Sequence, residues 1–198
     1  MLKRQLRKKG AGLALTSGRG LALAGVWALS SCAQTPSLPS SERPSQWAQP
    51  LTLAGVPNFH QVSPDLYRSA QPSAEGMANL EKLGVRTVIN LRSFSDNEGL
   101  IGSLALTSQN LPLRTWSLDE NGDELFFKIL ENSPKPVLVH GQHGADRTGA
   151  LSALYRIKEQ GWSQEEAIAE MTTGGFGYRS IWKNLPKWVA AKAVRPSF

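Results

Sequence analysis

Cysteine is nearly absent from this chain: in 198 residues there is one, Cys32. A single thiol excludes an intrachain disulfide and any structural zinc site built on paired thiolates. Histidine is scarce too, with only His60, His140 and His143. His140-x-x-His143 straddles the end of an expected strand and a loop, with no carboxylate at a familiar ligand spacing, so these rings read as bracing or loop-lining groups and no metal is expected. No Gly-Lys-Ser/Thr tripeptide occurs, which argues against a nucleotide P-loop and ATP or GTP hydrolysis. Acids are missing before Cys32, and that absence locates the net charge. The chain carries 22 Lys+Arg against 16 Asp+Glu, a formal +6. Lys3, Arg4, Arg7, Lys8, Lys9 and Arg19 supply the excess, leaving 16 groups of each sign from Cys32 onward. The balanced remainder gives no support to a nucleic-acid partner. At 40% hydrophobic and 19% charged, that remainder has the composition of a globular domain with one core.

A basic head over residues 1–9, an apolar run from Gly20 to Ser31, and small residues at its end follow the order of a secretory signal. The run is 12 residues, about 18 Å of helix against a hydrocarbon core of roughly 30 Å, too short for a comfortable span. Leu29-Ser30-Ser31-Cys32 resembles the lipobox of bacterial lipoproteins. The resemblance implies a signal peptide over residues 1–31, lipidation of Cys32, and a lipid-anchored membrane protein of the bacterial envelope. Ala33 after the cysteine implies the outer membrane, periplasmic side, in a Gram-negative cell. Several acyl chains anchor stably because each buried CH₂ contributes about 0.8 kcal/mol. Residues 32–57 hold Pro36, Pro39, Pro44, Pro50 and Pro57 among serines and read as an extended tether without a core. One folded domain is expected over residues 58–198.

Within that domain strands and helices alternate. Leu66-Tyr67-Arg68 reads as a strand, Ser73 opens a helix with Met77, Leu80 and Leu83 as its stripe, and Val85 to Leu91 reads as a buried strand. A helix is expected over residues 97–109, a strand over Leu111 to Leu118, and a helix over Asp123 to Glu131. Pro136 to His140 (PVLVH) reads as a short buried strand and Arg147 to Gln160 as a strong helix stopped by Gly161. Ser163-Gln164-Glu165-Glu166 has the capping-box spacing, and a last helix over Ser180 to Ala193 should be kinked near Pro186. This alternation predicts an α/β fold, a mainly parallel central sheet flanked by helices, with functional loops at the carboxyl ends of its strands. Trp116, Trp162, Trp182 and Trp188 read as core or helix-packing residues, and Arg179 as a solvated side chain.

The segment His140-Gly141-Gln142-His143-Gly144-Ala145-Asp146-Arg147-Thr148-Gly149 carries the chemistry. A buried strand runs through a tight loop directly into a helix, so backbone N–H groups and the helix N-terminus converge on one hollow that suits phosphate. Gln142, His143, Gly144, Ala145, Asp146 and Arg147 form the phosphate-binding set, and Arg147 offers a planar fork for two oxygens.

These residues resemble the signature loop of the cysteine-dependent protein-tyrosine and dual-specificity phosphatases: His-Cys, five residues, Arg, Ser/Thr. Asn58-Phe59-His60, Leu66 to Pro72, Val85 to Arg92 and Gly174-Gly175-Phe176-Gly177 extend the likeness to the bacterial dual-specificity-type branch. The resemblance implies the cysteine-phosphatase fold, phosphomonoester hydrolysis without a cofactor, and a phosphorylated protein, phosphoinositide or inositol phosphate as partner. It also implies roles: Arg147 clamps phosphate, Thr148 assists breakdown of the intermediate, and His140 supports the loop. Asp119 is the choice for the acid that protonates the leaving oxygen, with Glu120 and Asp123 as rivals. One position departs from the pattern. Where the family has its nucleophilic cysteine this chain has Gly141, which has no atom to attack with. Three readings stay open: a phosphate-binding protein without covalent catalysis, a phosphatase in which Gly141 is a variant or engineered replacement of cysteine, or slow catalysis without cysteine by direct water attack with Asp119 as base.

Overall fold

In a computed structural model, the structure describes residues 43–94, 97–118 and 121–194. Cys32 and the signal segment lie outside the described residues, as do Asp119 and Glu120. The element order is β1 (Gln49–Pro50), β2 (His60–Ser63), β3 (Leu66–Ser69), α1 (Ala74–Leu83), β4 (Thr87–Asn90), α2 (Glu98–Ile101), β5 (Thr107–Asn110), α3 (Gly122–Asn132), β6 (Val137–His140), α4 (Asp146–Gln160), α5 (Gln164–Thr173) and α6 (Asn184–Ala193).

The six strands form one sheet in the order β1-β2-β3-β6-β4-β5. Pairing is parallel from β3 through β6 and β4 to β5, and antiparallel at the β1-β2-β3 edge. The expected mainly parallel α/β fold is therefore present. β6 is central, all four of its residues are buried, and its side chains alternate between two apolar layers, as the strand period requires. Val137 and Val139 pack with Phe126 and Leu151. Leu138 packs on the other side with Met77, Leu80 and Val88. Register brings Ser69, His140 and Asn90 level across β3, β6 and β4, so the loop after β6 emerges between two neighbouring strand ends.

The helix signals correspond to observed caps. The Ser73 side chain accepts from Gly76 N at the start of α1, which Gly84 ends in the left-handed conformation. Ser163 and Glu166 form the reciprocal capping box of α5.

Four expectations need correction. Residues 97–109 are not one helix: α2 is a single short turn and Thr107–Asn110 form β5. The strand falls before Leu111 because β5 is a polar, partly exposed edge strand, while Leu111 and Leu113 are buried in the connection after it. α6 starts at Asn184 and places Pro186 in its first turn, where a missing N–H costs no helical bond, so a kink is not needed. Finally, packed structure begins at Arg43 rather than Asn58. β1 pairs with β2, Ala48 and Val56 are buried, and the Ala48 N–H donates to Glu170 Oε1 at 2.5 Å. Proline and serine content suggested a tether, yet the segment pairs with β2 and is fastened to Glu170 and Gly174, more than a hundred residues away.

Candidate functional site

The segment from Gly141 to Ala145 joins β6 to α4 in five residues, and every one of its five carbonyls is engaged. Gly141 O accepts from His140 Nδ1 at 3.3 Å and Gln142 O from the Gln71 N–H at 3.4 Å. His143 O accepts from Asn58 Nδ2 at 2.9 Å. Gly144 O accepts from Arg68 Nη2 at 2.8 Å, and Ala145 O accepts from the Gly149 N–H at 2.8 Å and from Arg68 Nη2 at 3.4 Å. A peptide whose carbonyl is held on one side presents its N–H on the other. Among the described residues, none accepts from the N–H groups of Gln142 to Ala145. The loop is thus a row of fixed donors followed at once by the N-terminus of the 15-residue helix α4, an arrangement that binds anions. Gly144 permits the turn: its φ is +67°, and a Cβ there would come within 2.5 Å of Ala70 N.

Arg147, on the first turn of α4, supplies the charge. Its Nη1 donates to Leu91 O at 2.9 Å and Leu113 O at 2.8 Å, so the guanidinium is fixed between the ends of β4 and the post-β5 connection. Burial lowers its pKa, Asp146 opposes that shift, and Arg179 and Arg92 add to it; the group remains a cation at neutral pH. The opposite Nη2 lies 3.9 Å from where a Cβ on Gly141 would stand. That same point is 3.2 Å from Thr148 Oγ1, which is buried without a hydrogen-bond partner among the described residues. Arg147, Thr148 and position 141 are therefore brought together as the spacing predicts.

His140 is fully buried, and burial pushes its imidazole down to about 4, with the Gly141 carbonyl opposing and Arg92 and Arg147 adding to the shift. It is neutral at neutral pH. Nδ1–H donates to Gly141 O, and Nε2 then accepts from Asn97 Nδ2 at 3.0 Å, a tautomer assigned from these contacts. The ring thus links the Gly141 carbonyl to Asn97. His60 also has a packing role, lying edge-on to Phe176 at 4.8 Å. No group of three or more His, Cys, Asp or Glu among the described residues is placed to hold a metal.

The hollow opens into a cleft of about 220 Å³ lined by Arg92, Phe94, Arg114, Trp116, Gln142 and Arg147, among others. Small for a drug-sized ligand, which takes roughly 300–1,000 Å³, it fits a phosphoryl group and part of its carrier. Arg92 is steadied by Gln71 Oε1 at 3.1 Å. Phe94 is 96% and Trp116 66% exposed, so Trp116 belongs to the rim of the cleft and not to the core expected for it. Trp162, Trp182 and Trp188 do pack against the helical layer.

Three further expectations change. Asp146 is not turned to the hollow: its carboxylate accepts from the backbone N–H, Nε and Nη2 of Arg179 at 3.0, 2.9 and 2.5 Å. Arg179 is accordingly an ion-pair partner and not a free solvated cation. Asp123 is 1% exposed and held by Lys192 at 2.8 Å and Lys158 at 3.7 Å, so it does not serve as the rival acid. Asp119 and Glu120 lie outside the described residues. Sequence reasoning gave no role to Arg68, Asn58, Asn97, Arg92 or Arg114. For Arg68 a signal existed: it shares a strand face with Leu66, and a charge at an inward strand position requires a partner.

The family model described as "DSP-PTPase phosphatase fused to NAD+ Kinase" matches residues 54–184. Dual specificity protein phosphatase TpbA of Pseudomonas aeruginosa is 35% identical over 140 residues, 70% of this chain and 63% of TpbA. The present chain thus matches less than two thirds of that relative's length. A crystal structure of P. aeruginosa TpbA in complex with pTyr is similar with a TM-score of 0.65 and 32% identity, covering 77% of this chain and 91% of that one. Inositol diphosphatase DSP5 of Arabidopsis thaliana is 28% identical over 129 residues, 60% of this chain and 62% of the plant protein.

Proposed function

The chain belongs to the DSP-PTPase phosphatase family, and from that premise we propose that it binds phosphomonoesters in the loop after β6 without cleaving them, as a pseudophosphatase. The observation that carries this reading is the position of Gly141 beside Arg147 and Thr148. The loop N–H groups and the free Nη2 of Arg147 hold phosphoryl oxygens, while no atom at position 141 forms a bond to phosphorus. The ester bond therefore stays intact. Losing a thiolate also removes its repulsion of a phosphate dianion, so anion binding persists. The ligand is a phosphorylated protein, a phosphoinositide or an inositol phosphate. Phosphotyrosine is supported by the pTyr complex of TpbA and inositol phosphates by the name of the plant relative.

A second reading, catalysis in a form bearing cysteine at this position, is favoured by one feature. The φ of Gly141 lies outside the left-handed region, so its backbone does not require glycine. The Thr148 hydroxyl, without a hydrogen-bond partner among the described residues, lies 3.2 Å from where a Cβ at 141 would stand. Asp119 is then the acid for the leaving oxygen, with Glu120 as its rival. One experiment tests both readings: tungstate binding and aryl-phosphate turnover, measured on the protein and on its Arg147→Ala and Gly141→Cys variants. The first reading expects tungstate binding lost in Arg147→Ala, with no turnover by the glycine form. Turnover by Gly141→Cys supports the second; an inert variant that still binds tungstate leaves a pocket adapted to binding alone. A protein that binds no tungstate overturns both.

We further propose that Cys32 is lipidated and anchors the domain to the bacterial envelope membrane. Cys32→Ser should then move the protein from the membrane to the soluble fraction; unchanged fractionation rejects the anchor.

A further inference from the structure

The described chain enters the domain through a segment fastened at both ends. Arg43 Nη1 donates to Ala48 O at 3.1 Å and Nη2 donates to Gly174 O, while the Ala48 N–H is held by Glu170 Oε1. Glu170 is 2% exposed and forms a bidentate pair with Arg156, at 2.8 Å on each oxygen, so the anchor is rigid. The Arg43 guanidinium also lies 5.2 Å from the centroid of Phe176. The segment is thus bound to the Gly174–Gly177 turn through both backbone and ring.

Phe176 is the connection to the loop after β6. It is 2% exposed, and the Arg68 guanidinium stacks 3.7 Å from its centroid. Arg68, itself 1% exposed, uses Nη2 to hold Gly144 O and Ala145 O. The Asn58 amide donates to Phe176 O and to His143 O, each at 2.9 Å. Three consecutive loop carbonyls are therefore fixed by two side chains that both rest on Phe176. A Cβ on Gly174 would come within 2.5 Å of the Phe176 ring, so the turn and the ring have little room to shift separately.

Among the described residues Arg68 forms no ion pair within salt-bridge distance; the charge of Glu170 favours its cation, and its direct contacts are loop carbonyls and an aromatic face. If Phe176 moves, Arg68 must find other partners, and the carbonyls it holds are released. We propose that Arg43 is a positioning residue for the anion-binding loop: by clamping Gly174 and Phe176 it keeps Arg68 and Asn58 in place, coupling the seating of residues 43–48 to anion occupancy. This rests on the anion-binding reading of the loop. Coupling is reciprocal by linkage, so an anion in the loop must also tighten the segment.

The test uses the full chain with tungstate as probe. Arg43→Ala should weaken tungstate binding about three- to tenfold. Arg43→Lys, which keeps the cation but not the fork across two carbonyls, should fall between. Glu166→Ala, which breaks the distant capping box of α5, should lower the thermal midpoint without changing tungstate affinity. In the unaltered protein, saturating tungstate should slow hydrogen exchange of the Ala48 amide, and this effect should vanish in Arg147→Ala. Unchanged affinity in Arg43→Ala overturns the coupling, as does Ala48 exchange indifferent to tungstate, which keeps the test decisive if Arg43→Ala fails to fold. Absence of tungstate binding by the unaltered protein overturns the site reading itself.

Discussion

Thr148 Oγ1 lies 3.2 Å from where a Cβ on Gly141 would stand, and this buried hydroxyl has no hydrogen-bond partner among the described residues. A buried hydroxyl without a partner is costly, about 1–3 kcal/mol by mutational measure. The position suits a group that accepts a hydrogen bond from it, which a thiolate or an anion oxygen does.

That relationship sets the first prediction. In the Gly141→Cys variant the thiol should titrate well below the usual value of about 8.5, because loop N–H groups, the α4 N-terminus and the Thr148 hydroxyl all favour the thiolate. Adding Thr148→Val removes one charge-assisted bond and should raise the thiol pKa by about 1–2 units. Alkylation rate against pH measures both. Equal profiles for the single and double variants would show that Thr148 does not face the sulfur.

The ion pair between Asp146 and Arg179 sets the second. Asp146 is 4% and Arg179 33% exposed, so breaking the pair strands a buried acceptor while water partly rescues the arginine. Arg179→Ala should therefore destabilise the domain by about 2 kcal/mol, below the 3–5 kcal/mol typical when both charges are buried. Arg179→Lys should recover part of this loss, since it keeps the charge without the planar fork. Urea denaturation checks both. A loss under about 0.5 kcal/mol would assign Arg179 the value of a surface pair.

Local signals made most of the architecture legible. The apolar run PVLVH, the glycine-bearing loop and Arg147 specify strand, turn and helix in one segment, and Ser73, Gly84, Ser163 and Glu166 act within a few residues of themselves. The misread parts depend on distant partners. Lys192 fixes Asp123 from 69 positions away, and Arg43 fastens to Gly174 across 131. β5 lacks an apolar face because it is an edge strand, so period-two patterning has nothing to display there. Arg147, Thr148 and position 141 were legible because they are close in sequence. Asn58 and Asn97 were not, since each reaches the loop or its supporting histidine from another element, and for Arg68 the inward strand position signalled burial but not its partners in the loop.

Acid sensitivity follows from the two buried histidines. Burial pushes both His60 and His140 down to about 4, against an ordinary 6.5. Below 6.5 the unfolded chain takes up protons at these rings that the folded chain refuses, so folding stability falls as pH falls and levels off below about 4. At pH 5 each ring should cost about 2 kcal/mol relative to pH 7. His140→Asn should remove its share of this dependence while keeping an amide to donate to Gly141 O, whereas His60→Phe should remove the other share and keep the contact with Phe176. Denaturation midpoints measured from pH 7 to pH 4 distinguish the contributions. A stability profile flat from pH 7 to pH 5 would mean that the folded protein admits protons at both rings, which their burial disfavours.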